Sequence, residues 1–576
     1  VLAALAAAPA HAITESDQTA AQAALSSPAG NYLAGRTAAT LRDMDAAATF
    51  LRSALRAAPK DVELLDRTFR IVLASGDFEQ AVALAERVVA SDPNNRIARL
   101  TLAVRAIKNK QYAVARTQLA PSVEGPMADL VATLVSAWSW QGSGDTAKAI
   151  KTADILTGND FALLFRDLHA GLIYENAGDF AEAEKRLAAA YKIDQSQYIL
   201  IDSYARALAR DGKKDEALGV YKSLAEKMTR NTRLNATIET LEKTGKLPSP
   251  VGSAKDGVAE ALISFSMIAS RGETAEIGLI YLNLALALAP QHELALISLA
   301  DLQENMAQHD QAIATYRRIP ETSYFHEDVS LRIAINLAQS ERLQDAEKQL
   351  RQLIAQDKND IDAIVTLGGL LHRDKKYKDA AEVYSQAVDA TAEPKKSDWS
   401  LFFSRGVSYD QAKEWRKAEK DLQTSIDLDP EQAVALNYLG YSWVDRGSNV
   451  EKGMDLIKKA VDLRPNDGDI VDSLGWAYYR QGKYPEATTE LERAVELKPH
   501  SWEINDHLGD VYWKTGRKLE AKFQWLHALS LEIDDEKHDP IERKIKDGLE
   551  VVEAEQQAAK QAENAASPDA QKPATP

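Results

Sequence analysis

The sequence predicts an all-α solenoid of stacked helical hairpins, and three observations predict it. The first is a small residue that returns at a spacing of 34 positions, interrupted at three steps. It reads Ala47, Ala81, Ala115, Ala149, Ala183 and Ala217, then Gly278, Ala312, Ala346, Ala380, Ala418, Gly453, Ala487 and Ala521. The second is a set of prolines, Pro59, Pro93, Pro290, Pro430, Pro465 and Pro499, placed where a helix must stop. The third is composition: 576 residues, 45% hydrophobic and 27% charged, an ordinary profile for a water-facing helical stack. A compact chain of this length splits into several domains, whereas a stack grows by adding units.

The elements follow in order. Residues 1–12, VLAALAAAPAHA, are apolar and end in the small-x-small pattern Ala10-His11-Ala12, which reads as the remnant of an export signal. Residues 13–27 are a polar lead, and 28–231 hold six repeats in strict register. The phase then breaks: 232–258 include TGKLPSPVGSAKDG, rich in Gly, Pro and Ser, and read as a linker or hinge. Eight repeats follow over 259–535. The insert TAEPKKSD (391–398) loops out between two of them, and one extra residue falls near Asn449. Residues 536–562 read as a capping helix, with Asp539 at its N-cap, Pro540 at its first position, and Ile541, Ile545, Leu549 and Val552 as its apolar stripe. The tail 563–576 lacks apolar periodicity and is expected to be disordered.

Residues 468–501 sharpen the picture. Leu474, Gly475, Tyr478, Ala487, Leu491, Ala494 and Pro499 stand at fixed offsets, and Leu508, Gly509, Tyr512, Ala521, Trp525 and Ala528 repeat them. Gly475 and Gly509 let paired helices approach closely, while Gly482 and Gly516 suit the turn between them. On this signature the chain is identified as a tetratricopeptide-repeat (TPR) protein. The resemblance implies a right-handed superhelix whose first helices line a concave groove.

Charge and motifs exclude several functions. A net charge of −17 opposes a nucleic-acid surface, which needs a basic face. No stretch approaches 18 uninterrupted apolar residues, so no membrane insertion is expected. The chain has no cysteine, which removes thiol catalysis, cysteine metal sites and a lipidated cysteine. An exported, soluble, unlipidated periplasmic protein is therefore expected. The ten histidines form no metal-ligand pattern, and neither a phosphate loop nor a dinucleotide fingerprint occurs. Gly440-Tyr441-Ser442-Trp443 lacks the second glycine of a nucleophile elbow. The chain is expected to be no enzyme and to hold no cofactor or metal.

What is left is a binding surface. One face of each first helix carries repeat positions 2, 5, 9, 12 and 13. In the last three repeats this face presents Asn437 and Tyr441, then Asp472, Trp476 and Tyr479, then Asp506, Asp510 and Trp513. Seven of the nine tryptophans lie between Trp399 and Trp525, and Trp and Tyr are common interface anchors. This groove is acidic and aromatic, so it is expected to repel a carboxylate and to take a basic, apolar or extended segment.

The runs ALNYLGYSWVDRG, DSLGWAYYRQGKYPEA and HLGDVYWKTGRKLEAKFQW resemble a family of long proteobacterial envelope TPR proteins, over about 435–530. Its best-understood class is an adaptor that activates a carboxyl-terminal processing protease, which removes peptidoglycan cross-link hydrolases. The resemblance implies an envelope scaffold with the protease, its hydrolase substrates, or both as partners. Two departures stand out: the adaptor is a lipoprotein, whereas this chain has no cysteine, and this chain has more repeats. An assembly scaffold for an envelope or polysaccharide-export machine is the alternative reading.

Overall fold

Turn residues write the helix starts. Asp43, Asp77, Asp145 and Asp179 recur at one repeat position, each just before the second helix of a hairpin. Each side chain accepts a hydrogen bond from the backbone N–H three residues on. A cap of this kind stabilises a helix by about 1 kcal/mol. The recurring alanines do the complementary task at the helix crossing, where Ala47, Ala81, Ala115, Ala149, Ala183 and Ala217 are fully buried.

The computed structural model describes residues 27–120, 126–227, 232–269, 275–323, 325–391, 393–533, 535–555 and 558. The expected export signal at 1–12, the lead up to residue 26 and the tail at 563–576 lie outside the described residues. No strand occurs among the described residues, and no described helix is long and apolar enough to cross a membrane. The described residues form an α-solenoid of stacked helical hairpins, and the chain divides after Gln349 into two units.

In the first unit, six hairpins run from Pro28–Thr40 with Met44–Ala57 to Tyr198–Arg210 with Lys214–Lys227. Residues 232–258, expected as a linker, contain the helix Thr232–Thr244 and the start of the helix Ala254–Ala269; only 245–253 are non-helical. Arg206 Nη1 donates to the Pro248 carbonyl at 3.0 Å and ties this stretch to the array. The chain then turns back along the array. The helix Ala254–Ala269 packs on Pro126–Gly142 and Asp160–Ala177, and Ala275–Leu288 packs on Val62–Ala74 and Arg96–Lys108.

The physical reason is visible in the sequence AEIGLIYLNLALAL (275–288). It has almost no polar face, and a helix apolar all round is buried on all sides. Leu279, Ile280, Leu282, Leu284, Ala285, Leu286 and Leu288 are all buried. Phe265 stacks on Phe165 with ring centroids 4.9 Å apart. Gly257 lies against Trp138 so closely that a Cβ there would stand 2.3 Å from the ring. Asn283 Nδ2 donates to the Leu73 and Ala74 carbonyls at 3.2 and 2.8 Å, satisfying acceptors at a helix end.

The second unit contains five hairpins, from Ile361–Arg373 with Tyr377–Ala390 to Trp502–Lys514 with Lys518–Ser530. Asn449 adopts a left-handed backbone (φ 48), which absorbs the extra residue expected there. Gly509 has no room for a side chain, since a Cβ would lie 2.4 Å from Trp525 Nε1. Trp525 is fully buried in the core, among Tyr512, Leu508 and Ala528.

The C-terminal region departs from the single helix expected over 536–562. A helix Asp535–Asp547 begins earlier, with Pro540 inside it rather than at its first position. It stops at Gly548, whose φ of 92° is a conformation that side-chain-bearing residues rarely adopt. Residues 549–555 are again helical. Ile541, Leu549 and Val552 of the expected apolar stripe are buried.

Candidate functional site

The 34-residue repeat sets equivalent side chains of neighbouring first helices beside one another. Along Ala433–Asp445, Gly468–Arg480 and Trp502–Lys514 this produces a row of cross-helix bonds. Asn437 Nδ2 donates to Ser473 Oγ at 3.0 Å, and Arg480 pairs with Asp445. His507 Nδ1 lies 3.0 and 3.1 Å from the two Asp472 oxygens. The rings then stack in series: His507 on Trp476 at 4.0 Å, and Trp476 on Tyr479 at 4.7 Å. Burial by itself would lower the His507 pKa, but Asp472, with Asp506 and Asp510 behind it, leaves it above its ordinary value.

The chain's own C-terminal segment covers the last two first helices. Lys544 Nζ sits 2.8 Å from both Asp506 oxygens and 2.8 Å from Asp510 Oδ1. Burial opposes its charge, yet Asp510 and Asp506 push its pKa up to about 12. Asp510 also accepts from Trp525 Nε1 at 3.0 Å, and burial raises its pKa against the pull of Lys544. Beyond the turn at Gly548, Trp513 Nε1 donates to Glu550 at 2.9 and 3.0 Å. Tyr479 Oη donates to Glu553 at 2.6 Å, and Lys514 pairs with the other Glu553 oxygen.

All eight residues singled out from the sequence therefore sit on this row of helices. Asp472, Tyr479 and Asp510 are buried, whereas Asn437, Tyr441, Trp476, Asp506 and Trp513 are half-buried. The expectation that a carboxylate is repelled needs correction. The site has two halves: a socket of aspartates that holds a lysine, and a shelf of Trp513 N–H, Tyr479 O–H and Lys514 that holds two glutamates. Composition alone showed the acids but not the donors among the aromatic residues.

Two features were missed in the sequence. Asn437 Oδ1 is a buried acceptor without a partner. Among the described residues, no hydrogen bond or ion pair from 541–555 reaches Asn437 or Tyr441. The second is an apolar stripe on the helix Lys518–Ser530, where Leu519, Phe523 and Leu526 are 67%, 62% and 52% exposed. The matching positions one repeat earlier are Pro485, Thr489 and Glu492, so a register comparison could have found it. His538, Asp539 and Glu542 could together offer a metal three ligand atoms, but exposed acidic groups of this kind are common without an ion.

Comparison with known proteins finds tetratricopeptide repeats in four segments. Residues 29–61, 72–125 and 331–393 match the tetratricopeptide repeat, and 475–516 match the TPR repeat. A TPR repeat-containing protein of Pseudomonas aeruginosa is 36% identical over 115 residues, 20% of either chain. The BBSome complex member BBS4 of Bos taurus is 29% identical over 116 residues, 20% of this chain and 21% of that one. The chain thus spans about a fifth of the length of these relatives. Among solved structures, the APC/C hetero-tetramer Cut9-Hcn1 is similar over 92% of this chain and 98% of that chain, with TM-score 0.37 and 13% identity. Yeast Tom70 is similar over 94% and 97%, with TM-score 0.32 and 13% identity. The chain carries tetratricopeptide repeats, and no catalytic family is indicated.

Proposed function

We propose that this tetratricopeptide-repeat protein is a non-catalytic scaffold whose second unit receives a protein partner in the groove of its first helices. Such repeats generally mediate protein–protein interaction, because stacking leaves long continuous surfaces. The observation that carries the assignment is the contrast in groove filling. The first unit's groove is closed by a stacked apolar core, whereas in the second unit, among the described residues, no hydrogen bond or ion pair joins Asn437 or Tyr441 to the segment that covers their neighbours.

The finer reading is a periplasmic adaptor of the bacterial envelope that presents a carboxyl-terminal processing protease, its hydrolase substrates, or both. Its support is the resemblance over about 435–530 and the small-x-small pattern at Ala10-His11-Ala12. The assembly-scaffold reading draws on Leu519, Phe523 and Leu526, which give the last repeat an apolar outer face. A photo-crosslinking residue at position 441, with captured proteins identified by mass, tests the groove. Stimulation of purified protease by the purified chain then separates the two readings. Capture at 441 with stimulation supports the adaptor, capture without it favours the assembly scaffold, and absence of capture removes the groove assignment.

A further inference from the structure

The segment 541–555 has the contacts of a bound ligand. It places an ammonium between two carboxylates, buries Leu549 and Val552, and offers two carboxylates to the N–H, O–H and ammonium donors of the shelf. Gly548 joins its halves, with the Trp513 ring packed against it. The two halves differ in burial: Lys544 is almost fully enclosed, whereas Glu550 is exposed and its bond to Trp513 is open to water. The groove underneath holds Asp472, Asp506 and Asp510 against Lys544 and His507, so a free groove would attract an ammonium strongly.

We propose that 541–555 is a displaceable internal ligand, and that the last two repeats accept in its place a partner segment of the same chemistry. That segment is helical on both sides of a glycine turn, carries before the turn a lysine flanked by apolar residues three before and one after, and bears two glutamates beyond the turn. The lysine enters the Asp506–Asp510 socket, and the glutamates take the donors of Trp513, Tyr479 and Lys514. This rests on the groove reading above and extends it to the partner's chemistry. A tethered segment competes at an effective concentration on the order of millimolar, so the intact protein screens out weak ligands.

The probe is a fluorescein-labelled peptide with the sequence of residues 539–555, titrated into the full chain by anisotropy. We expect it to bind Leu549→Ala/Val552→Ala at least tenfold tighter than the wild type, because the internal segment is loosened while socket and shelf stay whole. Lys544→Ala/Leu549→Ala is the second loosened variant, and adding Asp506→Asn to either is expected to abolish the gain. Equal binding to wild type and both loosened variants, including no binding to any, overturns the proposal and makes 541–555 a permanent cap. Crosslinking at 441 is read in parallel: capture there with a silent peptide removes displacement alone, and silence in both removes the groove reading as well.

Discussion

Both units fill a groove with their own chain, but by different physics. In the first, Phe265 on Phe165, Gly257 on Trp138 and the apolar helix Ala275–Leu288 make the filling part of the core. Even its polar groups are dry: burial pulls the His169 pKa down to about 3 and pushes Glu175 up to about 7. In the second, the filling adds to a buried apolar stripe, Ile541, Leu549 and Val552, the ionised groups Lys544, Glu550 and Glu553, each facing a counterpart on the groove. An apolar core can be exchanged only by unfolding. An ion pair exchanges for a chemically equal one at little net cost, since its partner's desolvation has already been met. On the reading proposed above, the difference separates a groove that is structure from one whose occupant can be exchanged.

The largest expected effect tests the first half of this contrast. Phe265→Ala should destabilise the first unit by about 3–5 kcal/mol, the usual cost of emptying an aromatic core position. Hydrogen exchange by segment checks it, with faster exchange across 62–108 and 126–177 and none of the change in 433–530. A loss under about 1 kcal/mol would mean that 254–288 is as replaceable as the C-terminal segment. Lys544→Met comes next. It leaves Asp506 and Asp510 without their cation and should cost the second unit about 3 kcal/mol, at the lower end for a broken buried pair because Asp506 is partly exposed. Urea unfolding followed by tryptophan fluorescence reports it, since seven of the nine tryptophans lie in that unit. An unchanged midpoint would show that the socket contributes nothing to holding the segment.

The two histidines should contribute to the pH response of their units in opposite senses. His169 accepts from Trp138 Nε1 at 3.1 Å and stays neutral when folded, but takes a proton near its ordinary value of about 6.5 when unfolded. The unfolded chain then binds more protons at this site, so the His169 share of the first unit's stability should fall by about 1.4 kcal/mol per pH unit below about 6.5, while Glu175, raised to about 7, works in the opposite sense down to about 4.5. His507 is raised, so its contribution is complete below about 6.5 and is lost as pH rises through its folded value. Segment-resolved exchange at pH 5, 7 and 9 checks both. Relative to the wild type, His169→Gln should relieve the first unit of about 1.4 kcal/mol per pH unit of acid sensitivity below about 6.5, and His507→Gln should flatten the alkaline limb of the second. Slopes unaltered by these substitutions would assign the pH dependence to other groups.

Much of this was legible because a repeat averages over its own noise. The alanine series located every hairpin, and its members are fully buried from Ala47 to Ala521. Groove positions were legible for the same reason, since the register assigns faces. What escaped were contacts between residues far apart in sequence. Nothing local announces that Asn283 reaches Leu73, or that Glu553 reaches Tyr479. One warning was present: 275–288 lacks a polar face, which is incompatible with a helix exposed on one side. The Gly-Pro-Ser composition of 244–257 outweighed it and suggested a hinge. Similarly, Gly548 was absorbed into a continuous helix because its neighbours keep an apolar stripe on both sides of the break.

The smallest effect discriminates most finely between packing and hydrogen bonding in the second groove. Trp513 gives the segment two things: a ring face beneath Gly548, where a Cβ would meet Cζ2 at 3.2 Å, and an N–H to Glu550. Trp513→Phe retains most of the ring and removes only the donor. Glu550 is exposed, so its carboxylate regains water, and the stability cost should be about 0.5–1 kcal/mol. Trp513→Ala removes both and should cost more, by the packing share alone. The pair should also differ in salt. The loss from Trp513→Phe should shrink in high salt, where an exposed charged bond is screened, while the packing share should persist. If Trp513→Phe matches Trp513→Ala and neither responds to salt, the shelf would be apolar in its energetics, and the second groove would resemble the first more than its ion pairs suggest.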